Sequence, residues 1–569
     1  MRYLALVTDY DGTLAAHGKV SETTVESLKQ LRESGRRLLL VTGRELSDLV
    51  PIFPEHTLFD RIVGENGAVV WAPDSRDVRL LGEPPPERFV ARLRELGVPV
   101  SVGRVIVATH EPHESTALEV IHELGLEYQV IFNKGAVMIL PSGINKATGL
   151  RAALAELGVS SHNAVAVGDA ENDHTLLMEC EAGVAVQNAL DMLKERADWV
   201  TEAARGDGVT ELARALLSDD LRELEPRLGR HDIAIGTADG GKDVVVHPYG
   251  PRVLVCGASG SGKSTLAAGF LERLTEKGYR YCLIDPEGDF SNAPGALVVG
   301  DPRKEPTIDE VIDVLRAGES SAVANLLGVP LAERPHFLGP LLSRLGENRM
   351  RSGIPHFIVI DEAHHMMPAG DVTLDEVVSS LARGVLLVTV HPERLATSVL
   401  AKIDELFVVG KGASDSLRAF AERAGVAPFV VPETELAPGQ AYHWARSKPE
   451  SVERLDVLAP KADRRRHERK YASGELGDDK SFYFRGPKGS LNLRANNLAL
   501  FLQMADGVDD ATWTHHLVHH DYSRWLRDAI KNADLSSSVF AIEKNRTLGA
   551  RESRREVRTA IEGVYTLPA

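Results

Sequence analysis

Cysteine is almost missing from this chain. Three of its 569 residues, Cys180, Cys256 and Cys282, are cysteines, and they are far apart with no CxxC among them. That excludes a disulfide framework and a cysteine-built zinc site within the chain, and fits a reducing compartment. Long apolar runs are missing too. The opening stretch Met1-Arg2-Tyr3-Leu4-Ala5-Leu6-Val7 stops at Thr8-Asp9, too short for a signal core, and no later stretch is long enough to cross a bilayer. The reading is a cytoplasmic protein with no membrane partner. Positive charge is also in deficit: 65 Lys and Arg against 82 Asp and Glu leave a formal net charge of -17. This argues against a protein that coats nucleic acid over its whole surface, while a locally basic channel, and DNA as a partner, stays open. What remains is ordinary for a soluble globular protein, with 43% hydrophobic and 26% charged residues. Its length exceeds one hydrophobic core and implies about three or four domains.

From the start to about Leu217, short β-rich apolar runs alternate with amphipathic helical stretches. Strands are expected at Tyr3 to Thr8, Arg37 to Thr42 and Ala164 to Gly168, with a helix at Glu22 to Ser34, the arrangement of a parallel α/β sheet. After the breaker Pro84-Pro85-Pro86 the rhythm changes. A helix is expected at Glu87 to Leu96, a strand at Val100 to Ala108, a second helix near His113 to Leu124 and two strands about Glu127 to Leu140. A polar segment, Ser218 to Arg230, leads to a β-prone stretch at Asp232 to His247. A second α/β region follows, with strands at Arg252 to Cys256, Tyr281 to Asp285, His356 to Asp361 and Val385 to Val390. The basic run Lys461 to Tyr471 reads as a linker or solvated helix, and the tail beyond it as mostly helical.

The first constellation is Asp9-Tyr10-Asp11-Gly12-Thr13, Thr42-Gly43-Arg44, Lys146 and Gly168-Asp169-Ala170-Glu171-Asn172-Asp173. Asp9 ends the first expected strand, where ligand sites of open α/β sheets form. An aspartate can attack phosphorus when a divalent cation shields the approaching anions. Asp11, two residues on, is spaced to protonate the leaving oxygen and later activate water. Thr42 and the amides after it can receive a phosphate, Lys146 supplies a cation to the phosphate and nucleophile, and Asp169 and Asp173 offer hard oxygens to magnesium.

These residues, in this order, resemble the four motifs of the haloacid dehalogenase superfamily. The resemblance is nearest to subclass IIB, the Cof-like and archaeal phosphoglycolate-phosphatase-like enzymes, and includes Gly64-Glu65-Asn66-Gly67-Ala68 as a substrate-side loop. It implies an aspartyl-phosphate mechanism, magnesium held by Asp9, Asp11, Asp169 and Asp173, and a cap over small phosphorylated metabolites. Residues 82 to 145 are the expected cap.

The second constellation is Gly257-Ala258-Ser259-Gly260-Ser261-Gly262-Lys263-Ser264-Thr265 between a strand and the helical run Ser264 to Leu274. Glycines Gly257, Gly260 and Gly262 free the backbone amides to cradle phosphates at a helix N-terminus. Lys263 reaches the β and γ oxygens, and Ser264, beside Thr265, binds magnesium. Asp361 is expected as the second magnesium contact, and Glu362 as the residue that polarises the attacking water. A kinase-like use of the loop is the rival; a carboxylate pair that activates water favours hydrolysis.

Together with Ile284-Asp285-Pro286-Glu287-Gly288-Asp289-Phe290, Asp361-Glu362-Ala363-His364-His365 and Thr389-Val390-His391-Pro392, this loop resembles the HerA/FtsK-type branch of additional-strand P-loop ATPases over about residues 230 to 450. The resemblance implies ATP hydrolysis, homo-oligomeric hexameric rings, action on DNA and an arginine completing the neighbour's site, with Arg349, Arg351 and Arg383 as candidates. The chain departs from that pattern where Val390 replaces a glutamine and His391 follows.

In the tail, His515, His516, His519 and His520 form two i, i+4 pairs on an expected helix, a spacing compatible with a transition metal, although a solvated or partner-facing helix is favoured. Trp513, Tyr522 and Trp525 are expected core residues. The run Arg464-Arg465-Arg466-His467-Glu468-Arg469-Lys470 reads as a charged linker rather than a phosphate-binding patch, since acids intersperse it.

The expected architecture is a multidomain α/β chain. Residues 1–83 and 146–217 form a Rossmann-like phosphatase core, 84–145 a small α+β cap, and 218–250 a linker with a short β segment. Residues 251–458 form a RecA-like ATPase domain, and 459–569 a basic linker and helical module. The expected function is a magnesium-dependent phosphomonoesterase joined to an ATPase. A ring-forming DNA translocase and a polynucleotide end-processing kinase/phosphatase stand as alternatives.

Overall fold

The computed structural model describes the chain except residues 134, 249, 368–382, 427–428, 462–475, 477–479, 488, 490, 531 and 564–569. The basic run Arg464 to Lys470 lies outside the described residues.

Two large sheets organise the molecule. The first has eight strands, in the order Trp199–Val200, Ala182–Ala185, Ala164–Gly168, Ala5–Thr8, Arg37–Val41, Arg61–Gly64, Val69–Trp71 and Val78–Leu80. The first six run parallel and the last two return antiparallel as a meander. Its central strands, such as Ala-Leu-Val-Thr at Ala5–Thr8, are buried along their whole length. That is the signature of a parallel strand covered on both faces, and it explains why these runs lack polar alternation. Helix Glu22–Glu33 begins at Ser21, whose side chain accepts from the Thr24 amide, and buries Val25, Leu28 and Leu31 against the sheet.

Between this sheet's meander and helix Lys146–Leu157 lies an inserted unit. It is a four-stranded antiparallel sheet in the order Ser101–Val102, Val107–His110, Ala136–Pro141, Tyr128–Asn133, backed by helices Glu87–Glu95 and Glu114–Glu123. Its small core includes Phe89, Leu93, Val107, Val120 and Ile139. The single strand expected at Val100 to Ala108 is instead a hairpin, because the chain turns at Gly103, whose amide donates to the Ile106 carbonyl.

The second sheet has eleven strands, in the order Asp243–Val246, Ile233–Ala238, Val452–Val457, Gln440–Ala445, Glu405–Val409, Arg252–Cys256, Val385–Thr389, Phe357–Ile360, Tyr281–Asp285, Ser321–Asn325 and Ala296–Val299. The hairpin Ile233–Ala238 with Asp243–Val246 is therefore part of this sheet, paired antiparallel with Val452–Val457. Strand Val385–Thr389 lies between the strand that ends at Cys256 and the one that leads to Asp361.

The tail forms its own core. A short hairpin, Phe482–Phe484 with Leu493–Ala495, packs with helices Leu498–Gly507, Asp510–Val518, Asp521–Asp528, Ala533–Lys544 and Ala550–Glu562. Trp513 and Tyr522 stack with ring centroids 4.3 Å apart inside it. The continuous helix expected through the four histidines does not form. It ends at Val518, and His520 adopts a left-handed φ of 55° before the next helix starts. His516 is buried, contacts Asp521 and accepts from the Arg485 amide, so its ring is spent on packing. Among the described residues the four histidines form no metal-holding group.

No helix among the described residues is long and apolar enough to cross a membrane.

Candidate functional site

At the C-terminal edge of the first sheet, two adjacent strands deliver three carboxylates to one point. Asp9 follows Ala5–Thr8, while Asp169 and Asp173 follow Ala164–Gly168. Carboxylate oxygens of the three lie within 4.8 Å of one another, all buried. Lys146, at the start of helix Lys146–Leu157, sends its Nζ between them, 2.6 Å from Asp9 Oδ1 and 2.5 Å from Asp173 Oδ1. That helix is fixed by Asn145, which accepts from the Ala147 and Thr148 amides and forms a capping box with Thr148. Asp173 also accepts from the Asp169 and Ala170 amides through its other oxygen. Burial pushes the Asp9 carboxyl well above the usual carboxylate range while the Lys146 ammonium pulls it back. Burial works to lower the Lys146 ammonium, yet Asp173 and Asp9 hold it above its ordinary value. Such a packed set of like charges is the environment in which a divalent cation is favoured, and three hard oxygens suit magnesium.

Asp11 is not in that group. Its carboxylate is taken by Arg44, with Nε 2.6 Å from Oδ2 and an Nη 2.7 Å from Oδ1. Thr42 is buried at the end of its strand, and its hydroxyl accepts from the Arg44 amide. Gly12 is the one residue type that fits its position. Its φ is 87°, and a Cβ there would stand 2.3 Å from Asp169 Oδ2.

Residues the sequence reading did not single out complete the surroundings. The Thr13 hydroxyl donates to Asp169 Oδ1 at 3.0 Å, and Asn188 Nδ2 donates to the Gly12 carbonyl at 2.9 Å. Thr13 lay within a quoted motif; Asn188 carries no local signal. In the Gly64 to Ala68 loop, Glu65 and Asn66 have positive φ, 50° and 55°. The buried Glu65 carboxylate accepts from the amides of Arg104, Val105 and Ile106, tying the inserted unit to the first sheet. The inserted unit also reaches over the site through Met138, whose Cε would lie 2.9 Å from a Cβ on Gly43.

The second constellation assembles at the C-terminal edge of the second sheet. The loop from Gly257 connects strand Arg252–Cys256 to helix Lys263–Glu276. Gly257 has φ 150° and leaves no room for a side chain, since a Cβ would stand 2.2 Å from the Val409 carbonyl oxygen. Lys263 is 5% exposed, and its Nζ donates to the Ala258 carbonyl at 3.0 Å. Gly260, Gly262, Ser264 and Thr265 follow in the same turn and helix start.

Asp361 and Glu362 follow strand Phe357–Ile360, which is one strand removed from the loop's own strand and pairs with Tyr281–Asp285. Asp285 accepts from the amides of Gly288, Asp289 and Phe290, shaping the loop that carries Glu287 and Asp289. Burial, then Glu362 and Asp285, push the Asp361 carboxyl well above the usual range. Burial, then Glu287, push Glu362 up to about 7. Glu362 has a left-handed φ of 41°, and its buried Oε2 has no hydrogen-bond partner among the described residues, with His364 Nδ1 3.3 Å away. His364 bonds Thr389 Oγ1 at 3.0 Å, and Thr389 also accepts from the His391 amide.

Two of the three candidate arginines sit far from this edge. Arg349 donates to the carbonyls of Pro355, His356 and Arg383, at the opposite end of the strand that leads to Asp361. Arg383 pairs with Glu225.

A family model described as haloacid dehalogenase-like hydrolase matches residues 6–85 and 101–212, and one described as AAA domain matches residues 250–395. The chain is 30% identical over 222 residues to a phosphoglycolate phosphatase of Methanothermobacter thermautotrophicus, covering 37% of this chain and 98% of that protein. It is 29% identical over 223 residues to a phosphoglycolate phosphatase of Methanoculleus marisnigri, covering 37% and 94%. A crystal structure of a haloacid dehalogenase-like hydrolase from Bacteroides thetaiotaomicron aligns at 22% identity and a TM-score of 0.34, over 38% of this chain and 99% of that one.

Proposed function

The chain belongs to the haloacid dehalogenase-like hydrolases through its first sheet, and from that premise we propose that this enzyme hydrolyses small phosphorylated metabolites at Asp9 and ATP at Lys263. The observation that carries the first half is Lys146 Nζ bridging Asp9 and Asp173 beside Asp169 at one sheet edge. Asp9 attacks phosphorus while Asp11 gives its proton to the departing alkoxide oxygen. Asp11 then takes a proton from the water that attacks the aspartyl-phosphate, releasing phosphate and restoring the Asp9 carboxylate. Thr42 and Lys146 hold the phosphoryl oxygens. Asp9, Asp169 and Asp173 would hold magnesium, which supplies charge neutralisation at the phosphoryl group when bound.

The inserted unit acts as a cap that favours small substrates. Short phosphorylated acids such as phosphoglycolate, the substrate named for the relatives above, are the first to test. Phosphate release from a panel of phosphorylated acids and sugar phosphates, with and without magnesium, is the experiment. Full activity of Asp9→Asn would sink the mechanism.

For the second half, strand Val385–Thr389 between the P-loop strand and the Asp361 strand supports an additional-strand ATPase. Ser264 and Asp361 would hold its magnesium, and Glu362 orients the water. The motifs after the strands favour the HerA-like branch, whose members act on DNA as rings. Solution mass and DNA-stimulated hydrolysis test that assignment, and a monomer indifferent to DNA would remove it.

A further inference from the structure

The two sheets meet at the ends opposite their sites. The contact is made by the residues that start the strands bearing the carboxylates. Ser160 and His162 lie just before strand Ala164–Gly168, which leads to Asp169. His356 immediately precedes Phe357–Ile360, which leads to Asp361. Ser160 Oγ is 2.9 Å from His356 Nε2, and the Ser160 amide donates to the Ser352 carbonyl at 3.0 Å.

The His356 ring accepts from the Arg280 amide at Nδ1, so Nε2 carries the proton and donates to Ser160. Burial, then the neighbouring His162 and Arg280, hold this ring well below its ordinary value, which keeps it in that neutral form. Arg280 itself immediately precedes strand Tyr281–Asp285, the other carboxylate-bearing strand of the second site.

A second set of bonds runs beside the first. Glu181, 0% exposed, accepts from Arg2 at 2.6 Å and from the Tyr279 hydroxyl at 2.6 Å, and bonds His162 Nδ1 at 2.8 Å. His162 stacks on Tyr279 with centroids 3.8 Å apart, and its Nε2 meets the Lys277 carbonyl at 2.9 Å. The contact has no slack: a Cβ on Gly353 would stand 1.8 Å from Asn163 Oδ1. Asn163 in turn ties to the strand of Asp9, because its carbonyl accepts from the Leu4 amide and its Nδ2 donates to the Arg2 carbonyl. The His162, Glu181 and His231 group is filled by the protein's own cations, since Arg2 holds Glu181 and Arg230 Nε donates to His231 Nε2.

We propose that this junction couples the two sites, so that nucleotide bound at Lys263 changes the affinity of the Asp9 site for its phosphoryl ligand, and the reverse by the same factor. The inference rests on the reading that both sites bind those ligands. Packed cores transmit a shift at one end of a strand as a rigid displacement rather than absorbing it. The element with a reason to shift is Glu362, six residues from Ser160's partner His356: it is held in a left-handed conformation, and its buried Oε2 makes no hydrogen bond among the described residues and has only His364 Nδ1 3.3 Å away. Thermodynamic linkage makes the effect reciprocal.

The test uses the full chain with magnesium. Tungstate serves as the phosphoryl mimic at the first site, and a nonhydrolysable ATP analogue fills the second. The inhibition constant of tungstate against p-nitrophenyl phosphate hydrolysis is expected to change by about fivefold or more, in either direction, when the analogue saturates. The fluorescence-measured affinity of the analogue should change by the same factor with tungstate. In the double variant Ser160→Ala, Tyr279→Phe the factor should fall toward one, while each ligand alone binds as in the parent chain. Equal tungstate inhibition with and without bound analogue overturns the inference and leaves the proposed activities standing. Undiminished coupling in the folded double variant overturns this route. If either ligand fails to bind at all, the proposed function falls and takes the inference with it.

Discussion

Arg44 grips Asp11 with two parallel hydrogen bonds, 2.6 and 2.7 Å long. The geometry is that of a guanidinium fork on a carboxylate, so both oxygens of the proposed acid are occupied by Arg44. The same guanidinium stands 5.7 Å from the centroid of the Tyr10 ring. A substrate phosphate, itself a ligand for arginine, can compete for Arg44 and release Asp11 where the leaving oxygen arrives.

That pairing gives the first prediction. Asp11→Asn should lower kcat/KM for alkyl phosphates by about 10²–10⁴, the usual worth of a positioned acid/base. Hydrolysis of p-nitrophenyl phosphate, whose leaving group departs without protonation, should lose less in its first step. Burst kinetics separate the two steps: the variant should still form the aspartyl-phosphate from the aryl ester and then stall.

Lys146 is buried between two carboxylates, and removing one partner of such a set leaves uncompensated charge. Lys146→Met should destabilise the chain by about 3–5 kcal/mol and abolish phosphatase turnover. Thermal unfolding should show magnesium raising the midpoint of this variant more than that of the parent, because a cation then supplies the charge that Lys146 supplied. Equal magnesium shifts in the two would contradict it.

Glu362 is pushed up to about 7, against an ordinary glutamate near 4.3. A raised carboxyl stays protonated below that value, and a protonated base cannot orient water. ATP turnover should therefore rise as pH increases through about 7 and flatten above it. Glu362→Gln should bind the nucleotide with little change and lose turnover by about 10²-fold or more, together with the rising limb. A pH–rate profile at saturating ATP, with nucleotide binding followed separately, checks both.

Glu65 satisfies three amides of the inserted unit. Glu65→Ala leaves the Arg104, Val105 and Ile106 amides without that acceptor, at about 1–3 kcal/mol for each group left buried and unpaired. Proteolysis within residues 84–145 should accelerate, and kcat/KM for a small phosphorylated acid should fall while the ATPase rate holds. Unchanged proteolysis would show that the contact does not hold the unit in place.

Which parts of this were legible beforehand follows from how local their physics is. Asp9, Asp169 and Asp361 each end an apolar run, and a strand end beside a short polar motif is a signal carried by adjacent residues. The expected strand at Val100 to Ala108 failed because Gly103 turns the chain within an otherwise β-prone run. The histidine pairs failed for a similar reason: His520 takes φ 55°, a conformation that spacing does not announce. Arg44 against Asp11, Glu65 against the Arg104 amide and Asn188 against Gly12 join residues 33, 39 and 176 positions apart. Those pairings are set by tertiary packing. Arg349 was a natural candidate for a neighbour's site by residue type alone, and its side chain is spent on three carbonyls of its own chain.

Ser160, His356 and Glu181 join the two sheets at the starts of the strands, so the two candidate sites lie at the far ends of those strands. On the proposed reading, joining the two sites in one polypeptide gives them equal copy number and one shared location.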